Sequence, residues 1–249
     1  TATYLDSDLP ALSANAWAFA RIDTSPGGGV FQTTGIVTAS DKGSITFRYK
    51  REGTHAVSEA DPYFLWNSLA ALDEEGEYFF DIEGISGPAH TLYLWTPGGV
   101  SPDSLQVEMK RREYAFDLNW ARYIQINDLA FHGAGIKCPP STSSIEMNRL
   151  SLRHCGTGLD LLSTGRAGIW LKGSDHKVRD CTIEASYGGG IVTLGTNTEI
   201  SNNVIRDCML YSIGTWDSSN VHVHHNTAFR NGGENITMFS PGSRFNYNH

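Results

Sequence analysis

"GIVTLGTNTEISNNVIRDC", residues 190–208, follows "GIWLKGSDHKVRDCTI", residues 168–183. Short apolar runs closed by Gly, Asn or Asp recur in both at one spacing, while the polar residues in the gaps differ. The same frame runs outward in both directions. "YIQINDLAFHGAGI" starts at 123, "SIEMNRLSLRHCGTGL" at 144, "HKVRDCTIEASYGGGI" at 176, "TEISNNVIRDCMLYSI" at 198, "VHVHHNTAFRNGGENI" at 221 and "RFNYNH" at 244. Ile169, Ile191, Ile213 and Ile236 form one column, spaced by 22, 22 and 23 residues. Val178, Ile200, Val223 and Phe245 form a second. A period near 22 with short β runs and turns marks a solenoid. The fixed leucine and asparagine frame of leucine-rich repeats is absent. A parallel β-helix fits, with equivalent residues of successive coils stacked at roughly 4.8 Å. Asn203, Asn226 and Asn248 share a third column, where stacked amides can bond the backbone of neighbouring coils. Cys181 takes that column one coil earlier, which points the position inward.

Composition bounds the rest. The chain has 249 residues, a net charge of −8 and 26 glycines. The acidic balance argues against a nucleic-acid partner, because phosphate binding needs a basic surface. No apolar run is long enough to span a membrane. The opening "TATYLDSDLP" lacks the basic start and apolar centre of a signal peptide. The four cysteines, Cys138, Cys155, Cys181 and Cys208, form no C-x-x-C pair. Three lie inside repeats, so buried free thiols are expected rather than a zinc site.

The expected division places a β-rich, sandwich-like antiparallel region at 1–112 and the parallel β-helix at 113–249. Alternating runs at 43–51, 76–82, 90–96 and 105–112, punctuated by Gly and Pro, read as strands of the first region. "WNSLAAL" (66–72) is its helical candidate. The last coil stops mid-pattern, which predicts further coils of a longer chain or end-to-end self-association.

Arg153, Glu184 and Arg206 align on consecutive coils as a ladder of opposite charges. The third coil carries an insertion within 156–168, offering Asp160 and Arg166 on a loop that is either a substrate-binding face or simply solvated. Alternation gives a further clue. With Ile169 and Leu171 facing in, Trp170 and Lys172 face out, and the Lys172 column continues as Leu194, Trp216 and Phe239. Such an outward stripe either stacks sugar rings or is covered by the first region. The adjoining turns "GSDH" (173–176) and "WDSSN" (216–220) bring Lys172, Asp175, His176 and Asp217 to one edge of that sheet. Glycosidic hydrolysis needs two carboxyl groups. Elimination beside a uronic acid needs a base, often with Ca²⁺ or Arg on the substrate carboxylate. His222 and His224, two apart, should face the same way, on an exposed strand or around a metal.

"NSLAALDEEGEYFFD" (67–81), "LYLWTPGG" (92–99), "YAFDLNWARYIQINDLAFHGAGI" (114–136) and the following coils resemble secreted bacterial right-handed parallel β-helix proteins of the pectate-lyase-like superfamily. The run at 72–78 with the strand after it is similar to β-helix glycoside hydrolases that carry an inserted β-sandwich. The resemblance implies a right-handed helix, a secreted or cell-surface location and action on polysaccharide. It transfers no catalytic residue.

The expected function is therefore a secreted carbohydrate-active protein, first a glycoside hydrolase. Asp175 and Asp217 are the acid/base candidates, with Lys172 and His176 as charge or proton partners. Trp216, Trp170, Arg166 and Asp160 are the substrate-binding candidates. No cofactor is expected; Ca²⁺ is an option only under the alternative of a polysaccharide lyase. The alternative from another class is a non-catalytic structural or adhesive protein of a cell surface or filament.

Overall fold

The computed structural model describes residues 2–5, 17, 20–24, 33–49, 63–82, 84–110, 112–156, 167–233 and 235–249. The chain forms two compact units, Thr1–Glu108 and Met109–His249.

The first unit holds a five-stranded antiparallel sheet with spatial order Ala2–Leu5, Ser44–Tyr49, Thr33–Asp41, Arg21–Thr24, Tyr63–Trp66. One face is apolar: Tyr4, Ile22, Val37, Ile45 and Phe47 are buried together with Trp17 and Ala20. The Tyr4 ring stacks on Phe47 at 5.5 Å and on Tyr63 at 4.8 Å. A separate hairpin pairs Tyr78–Asp81 with Thr91–Leu94. Two sequence expectations are corrected here. The run from 105 forms no strand over its described residues 105–110 and 112, and its alternate residues Leu105, Val107 and Met109 are exposed. Alternation without a partner strand does not make a sheet. The helix expected at "WNSLAAL" contracts to a 3₁₀ turn, Leu69–Ala71, capped by Ser68. Seven residues cannot offset the cost of helix nucleation.

The second unit is a parallel β-solenoid of about six coils, built from three sheets. Sheet I contains Tyr114–Asp117, Gly135–Cys138, Ile169–Leu171, Ile191–Thr193, Ile213–Trp216 and Ile236–Phe239. Sheet II contains Gln125–Asn127, Glu146–Asn148, Lys177–Arg179, Glu199–Ser201, His222–His224 and Arg244–Asn246. Sheet III contains Ala130–His132, Ser151–Arg153, Thr182–Glu184, Val204–Arg206 and Thr227–Phe229. The two apolar columns read from the sequence are paired in register. Ile169, Ile191, Ile213 and Ile236 align in sheet I. Val178, Ile200, Val223 and Phe245 align in sheet II. The columns also extend backward, through Ile136 in sheet I and through Met147 and Ile126 in sheet II. Most of these side chains are fully buried in one continuous core. Each buried Val, Leu or Ile contributes about 1.5–3 kcal/mol.

Three left-handed corners turn each coil. Before sheet II they fall at Tyr123, Ser144, Asp175, Asn197 and Asn220. Between sheets II and III they fall at Asp128, Arg149, Asp180, Asn202, His225 and Tyr247. After sheet III they fall at Gly133, His154, Ala185, Asp207 and Arg230. Asn and Asp fill three of the five corners before sheet II and three of the six between sheets II and III, because they tolerate positive φ better than other side chains. Inside the second corner runs the asparagine ladder. Asn203 Oδ1 accepts from the Cys181 backbone N–H at 2.9 Å, Asn226 Oδ1 from Asn203 at 2.9 Å, and Asn248 Oδ1 from Asn226 at 3.0 Å. Cys181 closes the ladder and points inward. All four cysteines are free, buried thiols.

Candidate functional site

The outer faces of the three sheets differ. Sheets II and III carry polar ladders. On sheet III, Glu184 pairs with Arg153 at 3.2 Å and with Arg206 on its other side. On sheet II, Lys177 pairs with Glu146 at 2.8 Å, and Arg179 grips Glu199 at 2.9 and 2.7 Å. These pairs satisfy each other along the coil axis.

Sheet I carries rings and lysines instead. Its outward column runs Asp117, Lys137, Trp170, Val192, Gly214 and Thr237. The next outward positions are Lys172, Leu194, Trp216 and Phe239, with Trp216 paired to Phe239. Trp170 and Val192 are buried although they face out, because Ala167, Leu194, Tyr211 and Trp216 pack over them as a second apolar cluster. Tyr211 and Trp216 meet edge to face at 4.5 Å. Lys172 Nζ sits 4.9 Å from the Trp170 ring centre, and Lys137 Nζ sits 5.9 Å from it and 5.3 Å from Tyr114. Both lie within the reach of cation–π attraction. Lys137 also meets Asp117 at 3.4 Å. At the far end Phe239 is 66% exposed.

Gly214 makes this packing fit. A Cβ there would stand 2.3 Å from the Trp216 indole. The six-membered edge of the indole reaches over the glycine and fills the space that a side chain would take. A Cβ at Gly189 would likewise meet the Tyr211 ring at 2.4 Å.

The sequence-derived residues divide accordingly. Lys172, Trp170 and Trp216 belong to the cluster. Asp217 follows Trp216 at an exposed turn with φ 46. Asp175 occupies a corner ladder: its carboxylate accepts from Ser174 at 2.7 Å and from Asn197 at 3.1 Å, and Asn220 continues the ladder to Asn197 at 2.8 Å. Those two bonds lower its pKa, so Asp175 stays ionised and makes a poor proton donor. Two coils separate Asp175 from Asp217, roughly 10 Å along the axis, and no bond joins them. His176 departs furthest from its expected role. It is completely buried. Its Nδ1 accepts from the Ile145 backbone N–H at 3.3 Å, which places the proton on Nε2 for donation to the Lys172 carbonyl at 2.6 Å. It is a structural interior histidine, turned inward by these bonds and unable to reach a substrate. Asp160 and Arg166 lie outside the described residues.

Lys137, Tyr114 and Tyr211 join the site without having been read from the sequence. Lys137 was legible by extending the isoleucine column back to Ile136. Tyr211 sits in a turn, where no period marks it. Burial together with neighbouring Glu113 raises the Tyr114 phenol well above its ordinary range.

Fold and site together define a parallel β-solenoid with one aromatic–cationic face. Residues 126–249 match the family model described as "Right handed beta helix region". Comparison with the curated proteins finds no match. A solved structure titled "Glycoside hydrolase" is similar at 11% identity with a TM-score of 0.37, over 98% of this chain and 69% of that chain.

Proposed function

We propose that this chain is a carbohydrate-active protein that holds a polysaccharide along the outer face of sheet I, and that glycosidic bond hydrolysis is its first activity to test. The observation that carries this is the segregation of side chains. Trp170, Trp216, Phe239 and two lysines gather on sheet I, while the ion-pair ladders run along the other two sheets, beside the histidines of sheet II and Phe229 of sheet III. The apolar faces of sugar rings stack on aromatic rings such as Trp216 and Phe239. A row of residues at coil spacing suits a chain-like ligand better than a compact one. Asp217, exposed beside Trp216, is the carboxylate best placed to act on a chain lying there. Asp175 is the weaker partner, because its corner bonds hold it ionised. A secreted or cell-surface location belongs to the same proposal.

The two lysines favour a second version, in which the glycan is acidic and cleavage is an elimination. Lys172 is then the base or the group that neutralises the uronate. The non-catalytic version keeps the surface and loses the chemistry.

The test is affinity electrophoresis of the protein in gels containing neutral or acidic polysaccharides, with product release assayed in parallel. Retardation is expected, and F239A and W216A should each weaken it about tenfold. F239A removes an exposed ring and leaves the fold intact. Unchanged retardation in both variants overturns the surface. Reducing-end release lost in D217N identifies a hydrolase. Double-bond absorbance lost in K172Q identifies a lyase. Binding without either product identifies the non-catalytic version.

A further inference from the structure

The outer face of sheet II gathers histidines at "HVHH" (222–225). His222 and His224 lie on the same side of one strand, with ring centres 4.2 Å apart. His225 follows at a left-handed corner with φ 55, its ring 5.1 Å from that of His224 and stacked on Tyr247 of the next coil at 5.2 Å. Three imidazoles therefore meet at the seam between two coils, where His222–His224 pairs in register with Arg244–Asn246. Among the described residues no group of three His, Cys, Asp or Glu side chains is arranged to hold a metal ion.

Contact limits how many protons this cluster can carry. The Nδ1 atoms of His224 and His225 stand 2.8 Å apart, a hydrogen bond that holds one proton between two nitrogens. A second proton there would set N–H against N–H, so the bond survives one positive charge on the pair and fails with two. His222 Nε2 is buried and makes no hydrogen bond. An imidazolium carries an N–H on both nitrogens, and this one would have no acceptor.

The surrounding strands supply little free negative charge. On the next strand Arg244 is exposed and stands opposite His222. On the preceding strand Glu199 stands opposite His222 and 3.6 Å from His224 Nε2, but Arg179 already grips it with both arms. Lys177, one coil further back, pairs with Glu146. In the corner column of His225 the neighbours are Asn202 and Tyr247, and the acid, Asp180, lies two coils away. Partial burial and then His222 lower the His224 pKa; Glu199 opposes them, and His225 lowers it further. A histidine whose folded pKa lies below its unfolded value of about 6.5 takes up a proton on opening. The contact is therefore at full strength above that pH and weakens as the pH falls.

We propose that His222, His224 and His225 form a proton-operated latch between these two coils, closed while the rings are largely neutral and opened as acid charges all three. Opening releases Arg244–Asn246 from His222–His224 and parts Asn226 from Asn248 in the asparagine ladder. The latch lies on sheet II and is independent of the polysaccharide surface on sheet I.

The test is hydrogen exchange of the intact chain at pH 7.5 and pH 5, read by mass spectrometry and corrected for the intrinsic rate. The seam amides are those of His225, bonded to the Asn246 carbonyl at 3.2 Å, and Arg244, bonded to the Val221 carbonyl at 2.8 Å. Peptides covering 220–230 and 240–249 should lose protection about tenfold at pH 5, the effect of one unit of pKa shift. Peptides covering 123–153 should lose clearly less. H225N keeps a residue that tolerates the left-handed corner, so it should match the wild type at pH 7.5 while its loss at pH 5 shrinks to about threefold. R244Q, at an exposed position, should act in the same direction. Unchanged protection at the seam overturns the latch. So does an equal loss in both regions, which is the global response expected of a buried histidine such as His176. An undiminished loss in both variants overturns it as well.

Discussion

At the scale of single residues, His176 shows how one interior contact governs pH response. Burial lowers its pKa, against the opposing effects of the Lys172 carbonyl and the Asp175 charge. The unfolded chain therefore takes up the proton first, at about pH 6.5. Below that pH the unfolded state binds more protons than the native one, so stability falls as pH falls, until the native pKa is passed. His176 thus contributes stability that is fully present above about pH 6.5. Urea unfolding between pH 7.5 and 5 should show this decline, and H176Q should flatten it. The same variant should cost roughly 1–3 kcal/mol at pH 7.5, because Ile145 N–H and the Lys172 carbonyl lose a buried partner. An unchanged slope in H176Q would remove His176 from the account. Gly214 offers a second test at this scale. G214A must push the Trp216 indole outward. Crowding outweighs the gain from a stiffer unfolded chain, for a net loss of roughly 1–2 kcal/mol. Tryptophan emission should shift red relative to G214A in a W216F background.

At the scale of elements, the two kinds of ladder should differ sharply in worth. Asn226 is completely buried, and its side chain has five hydrogen-bond contacts: Oδ1 accepts from Asn203 N–H and Asn203 Nδ2, and the two Nδ2 hydrogens are shared among the Ile200 carbonyl, the His224 carbonyl and Asn248 Oδ1. N226A orphans several buried groups and should cost roughly 2–4 kcal/mol. The Arg153–Glu184–Arg206 ladder stands partly in water, with Arg153 58% exposed. E184Q should therefore change stability by less than about 1 kcal/mol, and less still in high salt. Chemical denaturation of both variants in low and high salt compares them directly. Equal losses would mean that the inner amide ladder is not what fastens one coil to the next.

At the scale of the whole solenoid, the core columns and the thiols report on one another. Burial pushes the Cys138 thiol up to about 12 and those of Cys155, Cys181 and Cys208 up to about 11. A thiol held protonated and out of water is inert. Ellman's reagent at pH 8 should label no cysteine in the native protein and four after denaturation. The labelling rate in mild denaturant then measures opening of the coils. Rapid labelling of any cysteine in the native state would show that its coil frays.

The sequence by itself determined the coil period, the inward columns, the asparagine ladder and the charge ladder on sheet III. These follow from spacing and alternation, which are local properties of a β chain. They also placed Trp170, Lys172 and Trp216 on one outer face. Spacing says which column a residue joins, but not which way its side chain leans or what fills the space beside it. Only the tertiary structure brought the Trp216 ring over Gly214 and locked Asp175 into a corner. It also turned His176 inward. That residue directly follows a left-handed corner, where the strict in–out alternation of a strand no longer holds, and the buried backbone groups of neighbouring coils offered its ring partners. The same corner geometry one column further on set His225 against His224. Torsions at corners and contacts between coils made those choices, and neither is written in the period of the repeat.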